Sequence, residues 1–211
     1  MTETKQILCG DEIGLPVIDT YIPKFLDILY EDPIVSLIQF SEVRDAFHSN
    51  QIISKTDAIY AFDALMNFPK NILYIGSWFG FLTRYICENY PHHTVSELDF
   101  DPRLDVISRR FNAGLRNFKD RFVLDANSFD QYHLYTTVVN LSTEHMTTEW
   151  FDKISPGTEC VFQSNNFRIN DHTNPCVSIE DMKQKFNLST VFYENTVQLN
   201  VYNRFTLAGI K

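Results

Sequence analysis

Apolar positions along the chain change their period several times, and each change marks an element. From Tyr21 the residues Ile22, Phe25, Leu26 and Leu29 recur at helical spacing, and Asp32 with Pro33 predicts a restart, with an N-cap and a proline in first position. Ser41 to Ser49 reads as another short helix. Ser54 to Asn67 is the strongest helix of this third: Ser54 serves as its cap, Asp57 sits in its first turn, and Ala58, Ile59, Phe62, Leu65 and Met66 share a face. Pro69 ends it. Residues 1 to about 20, with Gly10, Gly14 and Pro16, have only a weak pattern and predict an irregular lead.

Beyond Pro69 the pattern shortens. Asn71 to Ile75 is an apolar run closing on Gly76; Ser77, Trp78 and Phe79 lead to Gly80, and Phe81, Leu82, Tyr85 and Ile86 then line one helical face. That is strand, glycine turn, helix. His93 to Asp99 predicts a second strand ending in acid, with Pro102 opening a new helix; Arg121 to Asp125 predicts a third and Tyr135 to Asn140 a fourth. Met146, Trp150, Phe151 and Ile154 outline a helix, Thr158 to Gln163 a fifth strand, and Ile179, Met182 and Phe186 a last helix. Gln163, Ser164, Asn165 and Asn166 read as an amide-rich loop after the fifth strand. Two closing strands, Thr190 to Glu194 and Val197 to Leu207, place Asn195 in the turn region between them.

Strands alternating with helices predict an open, doubly wound α/β sheet, whose ligands sit at the carboxyl ends of the strands. Gly76 and Gly80 permit close backbone approach there, and Asp99, about 20 residues beyond the turn, stands where a nucleotide offers its ribose hydroxyls. Gly76 to Gly80, Asp99 with Asp101 and Pro102, Asp125 with Ala126, and Asn140 resemble, in order, the first four motifs of class I S-adenosylmethionine-dependent methyltransferases, over residues 71 to 164. The acid usual two residues before the first glycine is Tyr74, and the usual middle glycine is Trp78.

A narrower resemblance covers most of the chain. Gln51 to Lys55, the glycine loop, Asn140 to Met146, Trp150, Gln163 to Asn166 and Tyr202 to Phe205 are similar to methyltransferase-like proteins often encoded by bacteriophages. The resemblance implies a Rossmann-like, doubly wound seven-stranded sheet with an antiparallel edge strand, preceded by a helical extension. The expected division is residues 1–53 for the extension and 54–211 for the cofactor-binding domain. It also implies S-adenosylmethionine as cofactor, with Gly76, Ser77, Trp78, Gly80, Asp99, Asp125 and Ala126 around it and Ser54 and Lys55 as carboxylate contacts. Ser54 as a helix cap and Lys55 as a solvated lysine is the competing reading. Trp78 and Phe79 either cover the ligand or pack on a neighbouring helix.

Methyl transfer is an in-line displacement, so it needs a held acceptor and, where that acceptor carries a proton, a base. Asn140 is the candidate to orient the acceptor and Glu144 or His145 the candidate base, although Glu144 also suits the first turn of a following helix. The segment lacks the Asp/Asn-Pro-Pro-Tyr/Phe pattern of amino methyltransferases acting on DNA, so a small or polar acceptor is expected. A methyltransferase-like fold used as a binding or assembly module is the alternative, favoured by Tyr74 and Trp78.

Composition narrows this further. The 211 residues are 44% hydrophobic and 14% aromatic, enough for one domain with a sizeable core and an extension. A net charge of −9 argues against extended nucleic-acid binding, and Arg103, Arg109, Arg110, Arg116, Lys119 and Arg121 read better as a solvated face than as a phosphate-binding patch. Cys9, Cys87, Cys160 and Cys176 make no Cys-x-x-Cys pair, there is no long apolar run or signal segment, and the expectation is a cytoplasmic protein, in the host cytoplasm if phage-encoded. The histidines show no ligand spacing, and no metal is expected.

Overall fold

In a computed structural model of the chain, the structure describes residues 15–31, 38, 40–65 and 68–211. The strands are β1 (Asn71–Ile75), β2 (Thr94–Asp99), β3 (Phe118–Val123), β4 (Thr137–Asn140), β5 (Glu159–Asn165), β6 (Thr190–Gln198) and β7 (Asn203–Ile210). They form a seven-stranded sheet in the order β3-β2-β1-β4-β5-β7-β6. The first five strands run parallel, and β7 is antiparallel to both β5 and β6, which leaves β6 outermost at that end. The order reverses between β1 and β4, where an open α/β sheet has its crevice.

β1 shows why this strand lies at the centre. Ile72, Leu73, Tyr74 and Ile75 are all buried, as expected of a strand covered on both faces. Leu73 and Ile75 join a core with Trp150, Phe162 and Phe186, which brings in α6 (Glu149–Asp152) and α7 (Ile179–Lys185). Ile72 and Tyr74 face the other way, toward Ala58 and Phe62 of α3 (Ser49–Asp63) and Leu82 and Ile86 of α4 (Phe81–Asn89). A third, aromatic cluster ties the N-terminal helices to the glycine loop. The Phe25 ring of α1 (Leu15–Glu31) lies 5.1 Å from Phe79, 4.9 Å from Phe81 and 5.8 Å from Phe111 of α5 (Asp105–Phe111). α2 (Phe40–Ala46) precedes α3 and adds Ala46 to this cluster.

Several boundaries differ from the sequence reading. α1 begins at Leu15, and the restart expected at Asp32, the lead over residues 1–14, Cys9 and Met66 lie outside the described residues. α3 begins at Ser49, not Ser54. His48 caps it, accepting the Asn50 N–H on Nδ1, while Ser54 is an interior residue whose hydroxyl donates to the Asn50 carbonyl at 2.7 Å. Asn195 is inside β6 rather than in a turn, because its buried side-chain amide donates to Asp57 of α3 at 2.8 Å. Asp57 also accepts from Tyr193 and Thr206, so one buried carboxylate pins α3 to β6 and β7. Gln163, Ser164 and Asn165 are strand residues, and the Gln163 amide nitrogen donates to the Ser54 carbonyl and to Thr206, both at 2.8 Å, which ties a residue that reads as loop chemistry into the sheet.

Within the basic run, Arg109, Arg110, Arg116 and Lys119 are exposed as expected of a solvated face, and Arg121 is the exception. Arg121 is buried on β3; its Nη1 lies 2.5 Å from Glu97 Oε2 and 2.7 Å from Ser77 Oγ. Arg109 pairs with Asp105 and Asp120, and Arg103 with Asp101 and Glu42. Cys87, Cys160 and Cys176 are buried free thiols, and burial pushes Cys87 and Cys160 up to about 12. Among the described residues, no helix is long and apolar enough to cross a membrane.

Removing one member of a buried pair leaves the other charge uncompensated. Arg121→Met should therefore lower unfolding free energy by about 3–5 kcal/mol in urea titrations. The double variant with Glu97→Gln should recover much of that loss; equal losses in single and double variants would show that the pair itself does not matter.

Candidate functional site

The glycine loop is built from left-handed backbone. Gly76, Trp78 and Gly80 all have positive φ, at 64°, 53° and 78°. The two glycines take this conformation without strain, whereas Trp78 takes it at a cost of about 1–2 kcal/mol. The two glycines face different surroundings. A Cβ on Gly76 would sit 3.3 Å from the Ser142 Cβ, at the cleft wall. One on Gly80 would collide with Asn112 and Ser108 and come within 2.7 Å of Glu97 Oε1, inside the buried polar cluster. Gly80 therefore makes room for that cluster and does not line the cleft.

A cavity of about 580 Å³ opens at the carboxyl ends of β1, β2 and β4. Gly76, Trp78, Asp99, Asp125 and Ala126 line it with the apolar residues Ile75, Leu98, Phe100, Leu104 and Leu141, and Glu144, His145, Met146 and Asp171 lie along its other part. A smaller recess of about 30 Å³ continues from it past Gly76, Trp78, Ser142 and Arg204 to Ser54, Lys55, Tyr74 and Ser77. The size suits a nucleoside-type ligand.

Asp99 ends β2 and is buried. Its Oδ2 accepts the Trp78 N–H at 2.8 Å and its Oδ1 the Asp101 N–H at 3.1 Å. Burial raises its pKa, and the Arg121 guanidinium and these two amides oppose that rise. Asp125 caps the short 3₁₀ turn Ala126–Ser128, accepting the Asn127 N–H at 2.7 Å, and leaves the small Ala126 against the cavity. Trp78 stacks on Phe79 with centroids 5.0 Å apart. Phe79 is wholly buried against Phe25 and borders the recess, and Trp78 lines both parts of the cleft while packing on the same aromatic cluster.

At the recess, burial lowers the Lys55 pKa to about 8, helped by the nearby Arg204 charge, and its ammonium sits 5.8 Å from the Trp78 ring. Tyr74 is a buried phenol kept protonated, its pKa raised by burial and by Glu97 and Asp99. No carboxylate from β1 reaches the recess; its charged lining is Lys55 and Arg204.

After β4 the chain makes a short 3₁₀ turn, Thr143–His145. Asn140 is buried and holds this turn: its Oδ1 accepts the Ser142 N–H at 3.0 Å, and it does not reach the cavity lining. Glu144 is 2% exposed and pairs with Arg204 at 2.9 Å; the Asn165 amide donates to the same Oε1. His145 is exposed, with Nδ1 3.1 Å from the Asp171 carbonyl. His172, which sequence spacing did not single out, packs edge-on against His145 with centroids 4.6 Å apart.

The comparisons fit this description. Sequence comparison matches the chain to no protein-family model and to no curated protein. Among solved structures, it is similar to a SAM-dependent methyltransferase from Aquifex aeolicus (13% identity, 81% of this chain and 97% of that one, TM-score 0.57). It is also similar to the magnesium protoporphyrin IX methyltransferase of Synechocystis PCC 6803 with bound SAM (11% identity, 98% and 100%, TM-score 0.58). The [4+2]-cyclase SpnF has a comparable likeness (10% identity, 76% and 81%, TM-score 0.61). The fold is that of the class I methyltransferases, and at such identities the likeness carries the fold alone.

Gly80→Ala should destabilise the protein more than Gly76→Ala. The first adds buried collisions to left-handed strain, while the second adds strain of about 1–2 kcal/mol and one tight contact. Thermal melts of the two variants check the order; equal losses would contradict the assignment of Gly80 to packing.

Proposed function

We propose that the protein binds S-adenosylmethionine in this cleft and transfers its methyl group to a small or polar acceptor. The observation that carries the reading is Asp99, a buried carboxylate at the end of β2 beside the glycine loop, lining a cavity at the point where the strand order reverses. A carboxylate has about four lone-pair sites and the amides of Trp78 and Asp101 occupy two, so two remain for ribose hydroxyls. Ala126 and Leu124 give an apolar wall for a base, with Asp125 at its rim. Lys55 and Arg204 give the recess the charge to hold a carboxylate.

When bound, the cofactor would supply a methyl group on a sulfonium, activated for transfer to the acceptor with the neutral thioether as leaving group. This chain's residues must then hold the acceptor and take its proton. Glu144 is committed to Arg204 and Asn165. His145 is the better base: a carbonyl cannot donate, so Nδ1 carries the proton toward Asp171 and Nε2 keeps its lone pair. Asn140 acts by holding the turn that carries both.

Tyr74 favours a second reading, a methyltransferase-like module that binds a ligand without turnover, because it replaces the acid that would face the methionine ammonium. S-Adenosylhomocysteine titration tests whether the cleft takes the cofactor's nucleoside and amino-acid parts, the premise of the first reading. Wild type should bind in the micromolar range and Asp99→Ala about 10–100-fold more weakly, the worth of charged hydrogen bonds. No heat at two temperatures, together with no thermal stabilisation, would remove the cofactor from the account.

pH gives a further test. Lys55 is charged below about 8, so affinity for the homocysteine carboxylate should fall as pH rises through that value. Lys55→Met should bind more weakly below that pH and lose the dependence; an unchanged profile would take Lys55 out of the ligand's reach.

A further inference from the structure

Glu144, His145 and His172 offer one ligand atom from each side chain, all within 4.8 Å of one another. Each residue is prepared for ligation in its own way. His145 Nδ1 faces the Asp171 carbonyl at 3.1 Å and His172 Nδ1 the Phe167 carbonyl at 2.6 Å. Both carbonyls call for a proton on Nδ1, so in the neutral form of each ring Nε2 is the nitrogen left to bind metal, and the carbonyl serves as the outer partner that orients it. Glu144 Oε1 is occupied by Arg204 and Asn165, while Oε2 is buried and finds no hydrogen-bond partner among the described residues. Leaving a buried carboxylate oxygen without a partner is unfavourable, and a cation would relieve that cost.

We infer that Glu144, His145 and His172 form a binding site for a divalent first-row metal ion of the zinc, manganese or iron type. Two imidazoles and one carboxylate match those ions rather than calcium or magnesium, which take oxygen ligands. Ligand atoms around a tetrahedral ion at bonds of about 2.1 Å lie about 3.4 Å apart, so the set must contract. His145 is exposed and His172 half-buried, and each can turn toward the fixed Glu144. Three protein ligands leave coordination positions open, which distinguishes a reactive site from a structural one.

The open side belongs to the cavity that Glu144, His145 and Asp171 line. There the ion would hold an oxygen of the acceptor and lower its pKa, the task otherwise left to His145 as a base. This use rests on the methyl-transfer reading; metal binding itself does not.

The test is calorimetric titration of EDTA-treated, dialysed full-length protein with zinc chloride and, separately, manganese chloride, without cofactor. Cobalt(II) absorption serves as a second readout. One equivalent should bind with micromolar or tighter affinity and raise the melting temperature. His172→Ala should weaken that binding at least about tenfold, with circular dichroism confirming its fold. No saturable binding to wild type, or equal binding by His172→Ala, would overturn the site. A parallel S-adenosylhomocysteine titration in EDTA keeps the two readings apart: S-adenosylhomocysteine binding without metal binding ends this inference alone, and the reverse ends the cofactor reading alone.

Discussion

The Glu97–Arg121 pair is the constraint on which the cleft depends. It lies beneath the glycine loop, where Arg121 reaches Ser77 of the loop and lies 3.7 Å from Asp99, while Glu97 accepts from Ser108 of α5 at 2.5 Å. Asn112 closes the cluster against the Gly80 carbonyl. Loop, second strand, third strand and α5 are thus referenced to one buried charge pair, with attraction undiluted by solvent. The same cluster explains why Gly80 has no side chain and sets the electrostatic environment of the Asp99 carboxylate.

A second buried acid plays the matching role at the other end of the cleft. Glu144 ties the turn after β4 to Arg204 on β7 and Asn165 on β5. Between these anchors the lining changes character: Asp99 and Ala126 give acid and small apolar groups, the recess adds the cations Lys55 and Arg204, and His145 brings an imidazole to the remaining part of the cavity. In the proposed reading, a ligand with a nucleoside end and a carboxylate end meets complementary groups at the first two, and the third is left for the acceptor.

Much of this was legible in the chain because it is local. The run from Asn71 to Ile86 announces strand, turn and helix through its own periodicity, and Asp99 announces itself by distance from Gly76. What was not legible depends on contacts far apart in sequence. Nothing near Asn195 says that Asp57, in a helix far back in the chain, will hold it in a strand, and nothing near Gln163 says that Ser54 and Thr206 will take its amide N–H groups. Arg121 reads as one of a basic run because its partner lies on the neighbouring strand. His172 acquires meaning only when its loop returns to His145. Ser54 was misplaced as a cap because His48, a rarer cap, competes only through the geometry of the preceding turn.

The central claim is that the glycine loop and the ends of β2 and β3 together form a cofactor pocket. Amide hydrogen exchange with and without saturating S-adenosylhomocysteine tests this most directly, since it maps the ligand onto the backbone. The account predicts slowed exchange concentrated at Gly76 to Gly80, Asp99 to Asp101 and Leu124 to Asn127, with little change along β6. Protection elsewhere, or an unchanged map at ligand saturation, would contradict it.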